Sequence, residues 1–153
     1  MEDSLISFTV YGEPIPWKRA RAKTVTAKED KNGKKKKSKI RFFEDSKVSE
    51  YKKKVIEAFE ESGGRVYGKD VPLRMSIRFY LSVPMSASER KKENLIAKFF
   101  PTKRPDNDNL YKGIADALNK VAYYDDSQIV ITHIHKLWSI NPRAEISISE
   151  VKE

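Results

Sequence analysis

Between Arg104 and Ser127 a strongly basic chain concentrates acidic side chains: Asp106 and Asp108, then Asp116, then the pair Asp125-Asp126. Carboxylates this close repel one another unless cations or hydrogen-bond donors neutralise them, and a hard divalent ion with oxygen ligands does so. Two or three carboxylate oxygens converging on Mg²⁺ or Mn²⁺ polarise a phosphoryl oxygen, lower the pKa of a bound water and steady a leaving alkoxide, which is what phosphodiester hydrolysis requires. Asp106, Asp108 and one of Asp125 or Asp126 would supply the oxygens. Lys112, four residues after Asp108, would either pair with it on a helix surface or donate to a non-bridging phosphate oxygen in the transition state. Asp116 would be an outer carboxylate orienting Lys112, or an exposed helical residue. Capping is the competing role for the first two aspartates, but one helix needs one cap and two are offered.

The elements that must position these groups follow from periodicity. Leu110, Ile114, Ala117, Leu118 and Val121 form an apolar face, so a helix is expected over Asp108–Lys120 with Asp108, Lys112 and Asp116 stacked on its opposite side. Asp126 can return to the Asp106 end only if Val121–Tyr124 doubles back along that helix. Upstream, Ile6–Gly12 and Ile40–Phe43 read as strands, and Ser46 caps a helix reaching about Ser62, where Gly63-Gly64 stops it. Val71–Val83 alternates with Leu73, Met75, Ile77, Phe79 and Leu81 on one face, the best pattern for a central strand. A charged helix starts at Ser86 or Ser88. Ile129–Trp138 and Ala144–Val151 alternate and suggest a C-terminal hairpin around Asn141-Pro142-Arg143. The expected fold is α+β, a single two-layer domain over 1–153 with a mixed β-sheet packed with helices, in the order ββαβααββ.

Composition narrows the function. The chain has no cysteine, which excludes disulfides, thiolate zinc, iron–sulfur clusters and thiol nucleophiles. No leader or membrane-length apolar run is evident, so a soluble, cytoplasmic protein without a small-molecule cofactor is expected. Net charge is +9, and the excess is local: Trp17–Arg41 holds twelve Lys/Arg against two acids, while the remainder is nearly neutral. A polyanion is the natural partner, since each cation set against a phosphate releases counterions; the alternative is a solvated loop that aids solubility. Lys18, Arg19, Arg21 and Lys23 interleave with Trp17, suiting phosphate contact and base stacking unless Trp17 is simply core, and Lys103 and Arg104 are placed to hold a backbone beside the acids. The low-complexity run 28–39, centred on Asn32-Gly33, reads as a basic flexible loop or hairpin tip. His133 and His135 share one strand face as zinc pairs sometimes do, without a third ligand nearby in sequence.

These residues resemble the RusA-type Holliday-junction resolvases, small bacterial and prophage-borne endonucleases. The likeness rests on Lys103-Arg104-Pro105-Asp106-x-Asp108-Asn109-Leu110-x-Lys112, then Asp116-Ala117-Leu118-Asn119, then Tyr124-x-Asp126-Ser127-Gln128-Ile129. Pro16-Trp17-Lys18-Arg19-Ala20-Arg21 is similar to the family's basic N-terminal turn, with Ala20 where a Pro is frequent. The resemblance implies a homodimer that cuts four-way branched DNA symmetrically with Mg²⁺ during recombination and repair. It puts the metal aspartates at Asp106, Asp108 and Asp126 and the essential lysine at Lys112. A non-catalytic basic nucleic-acid-binding module and a less selective flap or fork nuclease are the alternatives.

Overall fold

The computed structural model describes residues 4–152 apart from 27, 28, 30, 35 and 36. Its elements are β1 (Ile6–Tyr11), β2 (Arg21–Val25), β3 (Lys39–Phe43), α1 (Ser46–Glu61), β4 (Leu73–Ser82), α2 (Glu89–Lys98), α3 (Asn107–Leu118), a 3₁₀ turn (Asp126–Gln128), β5 (Ile129–Ser139) and β6 (Arg143–Glu150). Strands β1, β6, β4 and β5 form a mixed sheet in that order, with β4 antiparallel to β6 and parallel to β5.

The alternation in β4 does what its pattern implies. Leu73, Met75, Ile77, Phe79 and Leu81 are buried on one face, and β4 lies between two neighbours. Val48, Tyr51, Val55 and Phe59 from α1, and Leu110, Ile114, Ala117 and Leu118 from α3, are buried in the core with them. Burying each large apolar side chain contributes about 1.5–3 kcal/mol, so these two helices are fixed to one side of the sheet. The other side is polar, carrying Ser7, Thr9, Arg74, Ser76, Arg78, His133, His135 and Glu145. Two layers result, as expected for α+β.

The expected order holds apart from one added strand, and the structure also corrects one strand pairing and one helix cap. An additional strand, β2, precedes Ile40–Phe43, and the two pair with each other as a separate ribbon outside the main sheet. All ten of their residues are exposed, so no buried face marked β2 in the sequence. The expected C-terminal hairpin does not form. β5 and β6 are two places apart with β4 between them, roughly 10 Å, and Ile140–Pro142 spans the gap. Finally, Asp45 rather than Ser46 caps α1, its carboxylate accepting from the Lys47 N–H at 2.9 Å. Elsewhere the boundaries agree closely: Ser88 caps α2, and Gly63, at φ +78°, ends the α1 region in a conformation other residues resist. Of the basic run 28–39, residues 28, 30, 35 and 36 lie outside the described residues; Lys31–Gly33 is a turn, with Gly33 at φ +74°.

Candidate active site

The start of α3 is the centre of the acidic group. Asp106 occupies the N-cap position with extended backbone, yet its side chain makes no capping hydrogen bond. The capping role that would account for it is therefore unfilled, and its exposed carboxylate is unspent. Asp108 follows in the first turn, exposed as well, where the helix dipole favours a negative charge.

Two contacts hold the segment around Asp106, where the connection from α2 enters α3. The Lys136 ammonium, on β5, donates to the carbonyls of Lys103 (2.8 Å) and Pro105 (3.0 Å). On the other side the Trp17 N–H donates to the Asn109 carbonyl at 2.9 Å. That approach depends on Gly113, since a Cβ there would stand 3.0 Å from the Ile15 carbonyl oxygen. Between the two segments lies a cleft of about 560 Å³ whose walls include Trp17, Lys18, Arg104, Asp106 and Asn109. Two cations, which suit backbone phosphates, thus share one opening with two carboxylates, Asp106 and a Glu13 that accepts from the Ser82 hydroxyl.

Lys112 does not pair with Asp108. Its ammonium sits over the Trp17 ring, 3.9 Å from the centroid, a cation–π contact that orients it while leaving its charge in place. Trp17 is accordingly neither a free base-stacking platform nor simply core. It is a half-buried bracket joining the basic N-terminal segment to α3.

The second acidic pair divides its roles. The Ser127 hydroxyl and backbone N–H donate to Asp125, hold its pKa below the ordinary carboxylate range, and make it the cap of the 3₁₀ turn. Asp126 remains exposed, its side chain within hydrogen-bonding reach of the Asp125 carboxyl. Its charge acts on Tyr111 of α3: burial, then Asp126, raise the Tyr111 pKa, and Tyr123 is raised by burial with Tyr111, Asp126 and Asp116 adding to it. The Tyr123 hydroxyl donates to the Ala115 carbonyl at 2.6 Å, so the chain after α3 turns back against the last turns of that helix. Gln128 sets the position of this turn. Its Oε1 accepts from the N–H groups of Tyr124 (2.9 Å) and Asp125 (3.3 Å), and its Nε2 donates to the carbonyls of Gly68 (2.9 Å) and Val71 (3.0 Å).

Among the described residues no three carboxylate or imidazole groups gather into a ready-made metal cage. His133 and His135 lie on the open polar face of the sheet, which Glu145 shares, and among the described residues they form no three-ligand group. Of the expected phosphate contacts, Lys18 and Arg104 line the cleft and Lys103 is exposed beside it. Arg19, Arg21 and Lys23 are exposed along the path into the ribbon. Lys18 also pairs with Asp45 at 3.4 Å. Sequence reasoning missed Lys136, Gly113 and Gln128 as positioning residues. A glycine inside an amphipathic helix was the one readable sign, because it costs helix stability unless something approaches closely.

The fold is a small α+β domain whose candidate site sets exposed carboxylates beside cations at one cleft. Residues 12–149 match the family described as endodeoxyribonuclease RusA. The crossover junction endodeoxyribonuclease rusA of Lactococcus phage r1t is 34% identical over 130 residues, covering 84% of this chain and 92% of the phage protein. The uncharacterised protein YqaN of Bacillus subtilis (strain 168) is 35% identical over 149 residues, covering 95% of this chain and 96% of its own. The chain belongs to the RusA endodeoxyribonuclease family.

Proposed function

We propose that this nuclease resolves Holliday junctions, cutting opposed strands of four-way DNA symmetrically as a homodimer, with Mg²⁺ as its metal, in the cytoplasm during recombination and repair. The observation that carries the reading is the Asp106 carboxylate, placed at the cap of α3 without capping it and facing a cleft shared with Lys18 and Arg104. The non-catalytic alternative needs that carboxylate to be a cap. Junction specificity and the twofold partner rest on the likeness to the phage crossover junction enzyme.

The donor set suits the metal. Asp106, Asp108 and Asp126 offer only hard oxygens, the ligands that Mg²⁺ takes. When bound there, it would supply Lewis acidity and an acidic water for hydrolysis. The chain's own residues do the rest. Lys18 and Arg104 hold the backbone phosphates at the cleft, Lys112 donates from its seat on Trp17 to a phosphate oxygen gaining charge, and Gln128 keeps Asp126 beside α3. Among the described residues no helix is long and apolar enough to cross a membrane.

The test is cleavage of a labelled synthetic four-way junction by wild type and Asp106→Asn, each with Mg²⁺ and with EDTA. Paired symmetric nicks that need Mg²⁺ and vanish in the variant, with junction binding kept or tightened, are expected. Retained cleavage by Asp106→Asn would sink the site. Equal cutting of forks, flaps and junctions would replace the resolvase reading with a less selective nuclease.

A further inference from the structure

The β2–β3 ribbon has two unlike faces, and neither is buried. Cross-strand partners share a face, so Arg21, Lys23 and Val25 lie with Phe43, Arg41 and Lys39, while Ala22 and Thr24 lie with Phe42 and Ile40. The first face carries four cations around the exposed Val25 and Phe43, the Lys23 ammonium lying 5.9 Å from the Phe43 ring centroid. The second is apolar, and its large side chains are open to solvent, Ile40 at 67% and Phe42 at 73% exposure. An isolated two-stranded ribbon is marginal in water, but the root of this one is tied down. Lys18 pairs with Asp45 at 3.4 Å, and Glu44 bonds both Lys52 and Ser49.

We propose that the ribbon reads the branch point of the DNA: the face bearing Ile40 and Phe42 packs on a base pair exposed where two arms diverge, and the face bearing Arg21, Lys23, Lys39 and Arg41 meets the backbone of the adjoining arm. This deepens, and rests on, the reading that the substrate is branched DNA. In unbranched duplex the base-pair faces are stacked on one another, so the apolar face has nothing to bury against. At a branch, an apolar stacking surface and a phosphate wall stand side by side, matching the two faces of the ribbon. A second copy of the chain is a poorer occupant. Two large side chains can bury on the order of 400 Å², against about 800 Å² per partner in a stable interface.

The test measures binding without divalent cation to a synthetic four-way junction and to a linear duplex of equal length. Ile40→Ser/Phe42→Ser is expected to lose about tenfold in junction affinity with duplex affinity and salt dependence unchanged. Arg21→Ala/Lys23→Ala/Arg41→Ala is expected to weaken both substrates and to lower the salt slope by about 2–3. Junction preference retained by the apolar variant overturns the assignment, as does a parallel loss on both substrates accompanied by a changed sedimentation coefficient, which would give the face to a second copy. Should the apolar variant misfold, 2-aminopurine at the branch decides with wild type alone: its fluorescence must change at the branch and not at mid-arm. A wild type that binds duplex as tightly as junction would instead overturn the branched-DNA reading itself.

Discussion

Gln128 is the one buried polar side chain among the described residues, at 9% exposure, and its amide serves four backbone groups. Replacing it with leucine keeps the volume roughly constant and orphans two carbonyls and two N–H groups. At a net 0.5–1.5 kcal/mol for each bond, with the 3.3 Å contact to the Asp125 N–H counted as weak, the loss is about 3 kcal/mol. A domain of this size loses about 2–4 °C in Tm per kcal/mol, so Tm should fall by about 6–12 °C while the protein stays folded at 20 °C. The functional consequence is larger. Asp126 stands two residues before Gln128 on the same turn, and freeing that turn displaces its carboxylate from α3. Junction cleavage at 20 °C, well below the new Tm, should show kcat reduced about a hundredfold with KM little changed. Gln128→Glu should recover part of the Tm loss as the pH falls towards about 4, where a protonated carboxyl can again donate to Gly68 or Val71. A Tm within 2 °C of wild type, or an unchanged kcat, would refute the claim that this amide positions the site.

Three further outcomes are expected. Trp17→Ala should lower kcat about ten- to a hundredfold through loss of the seat for Lys112, with Trp17→Phe retaining most of the rate; equal rates in all three proteins would remove Trp17 from the site. Gly113→Ala should gain helix propensity of about 1 kcal/mol yet lose cleavage, because the new methyl displaces Ile15–Trp17 from α3; thermal unfolding and cleavage measured together separate the two effects. Burial of the Tyr67 hydroxyl, which donates to the Ile148 carbonyl at 2.7 Å, pushes its pKa up to about 12 from 10. A raised folded-state value means that this contribution to stability is intact below pH 10 and is lost as the pH climbs towards 12. Urea midpoints should fall over that window and fall less steeply in Tyr67→Phe.

Much of the fold was legible because burial imprints a period on the chain. The alternation from Leu73 to Leu81 and the i, i+4, i+7 spacing of Leu110, Ile114 and Ala117 marked β4 and α3, since one face of each must be apolar to meet the core. The same logic failed at β2, where all five residues are exposed and nothing selects one face. It also failed for partners. Periodicity says that Ile129–Ser139 and Arg143–Glu150 are strands, but which strand lies beside which depends on edges hundreds of atoms apart in the chain, and β4 inserted itself between them.

The candidate site divides the same way. Asp106, Asp108, Lys112 and one of the Asp125/Asp126 pair could be nominated from residue type and spacing alone, with the family resemblance choosing Asp126, because carboxylates clustered in a basic chain need a chemical reason and the i, i+4 spacing puts Asp108 and Lys112 on one stripe. What holds them in place could not. The Trp17 ring under Lys112, the Lys136 ammonium behind the Lys103 and Pro105 carbonyls, and the Gln128 amide fastening the Asp126 turn to Gly68 and Val71 all join segments that are remote in sequence. Such contacts leave no local period, since each is decided by where the packed core happens to bring two backbones within hydrogen-bonding reach.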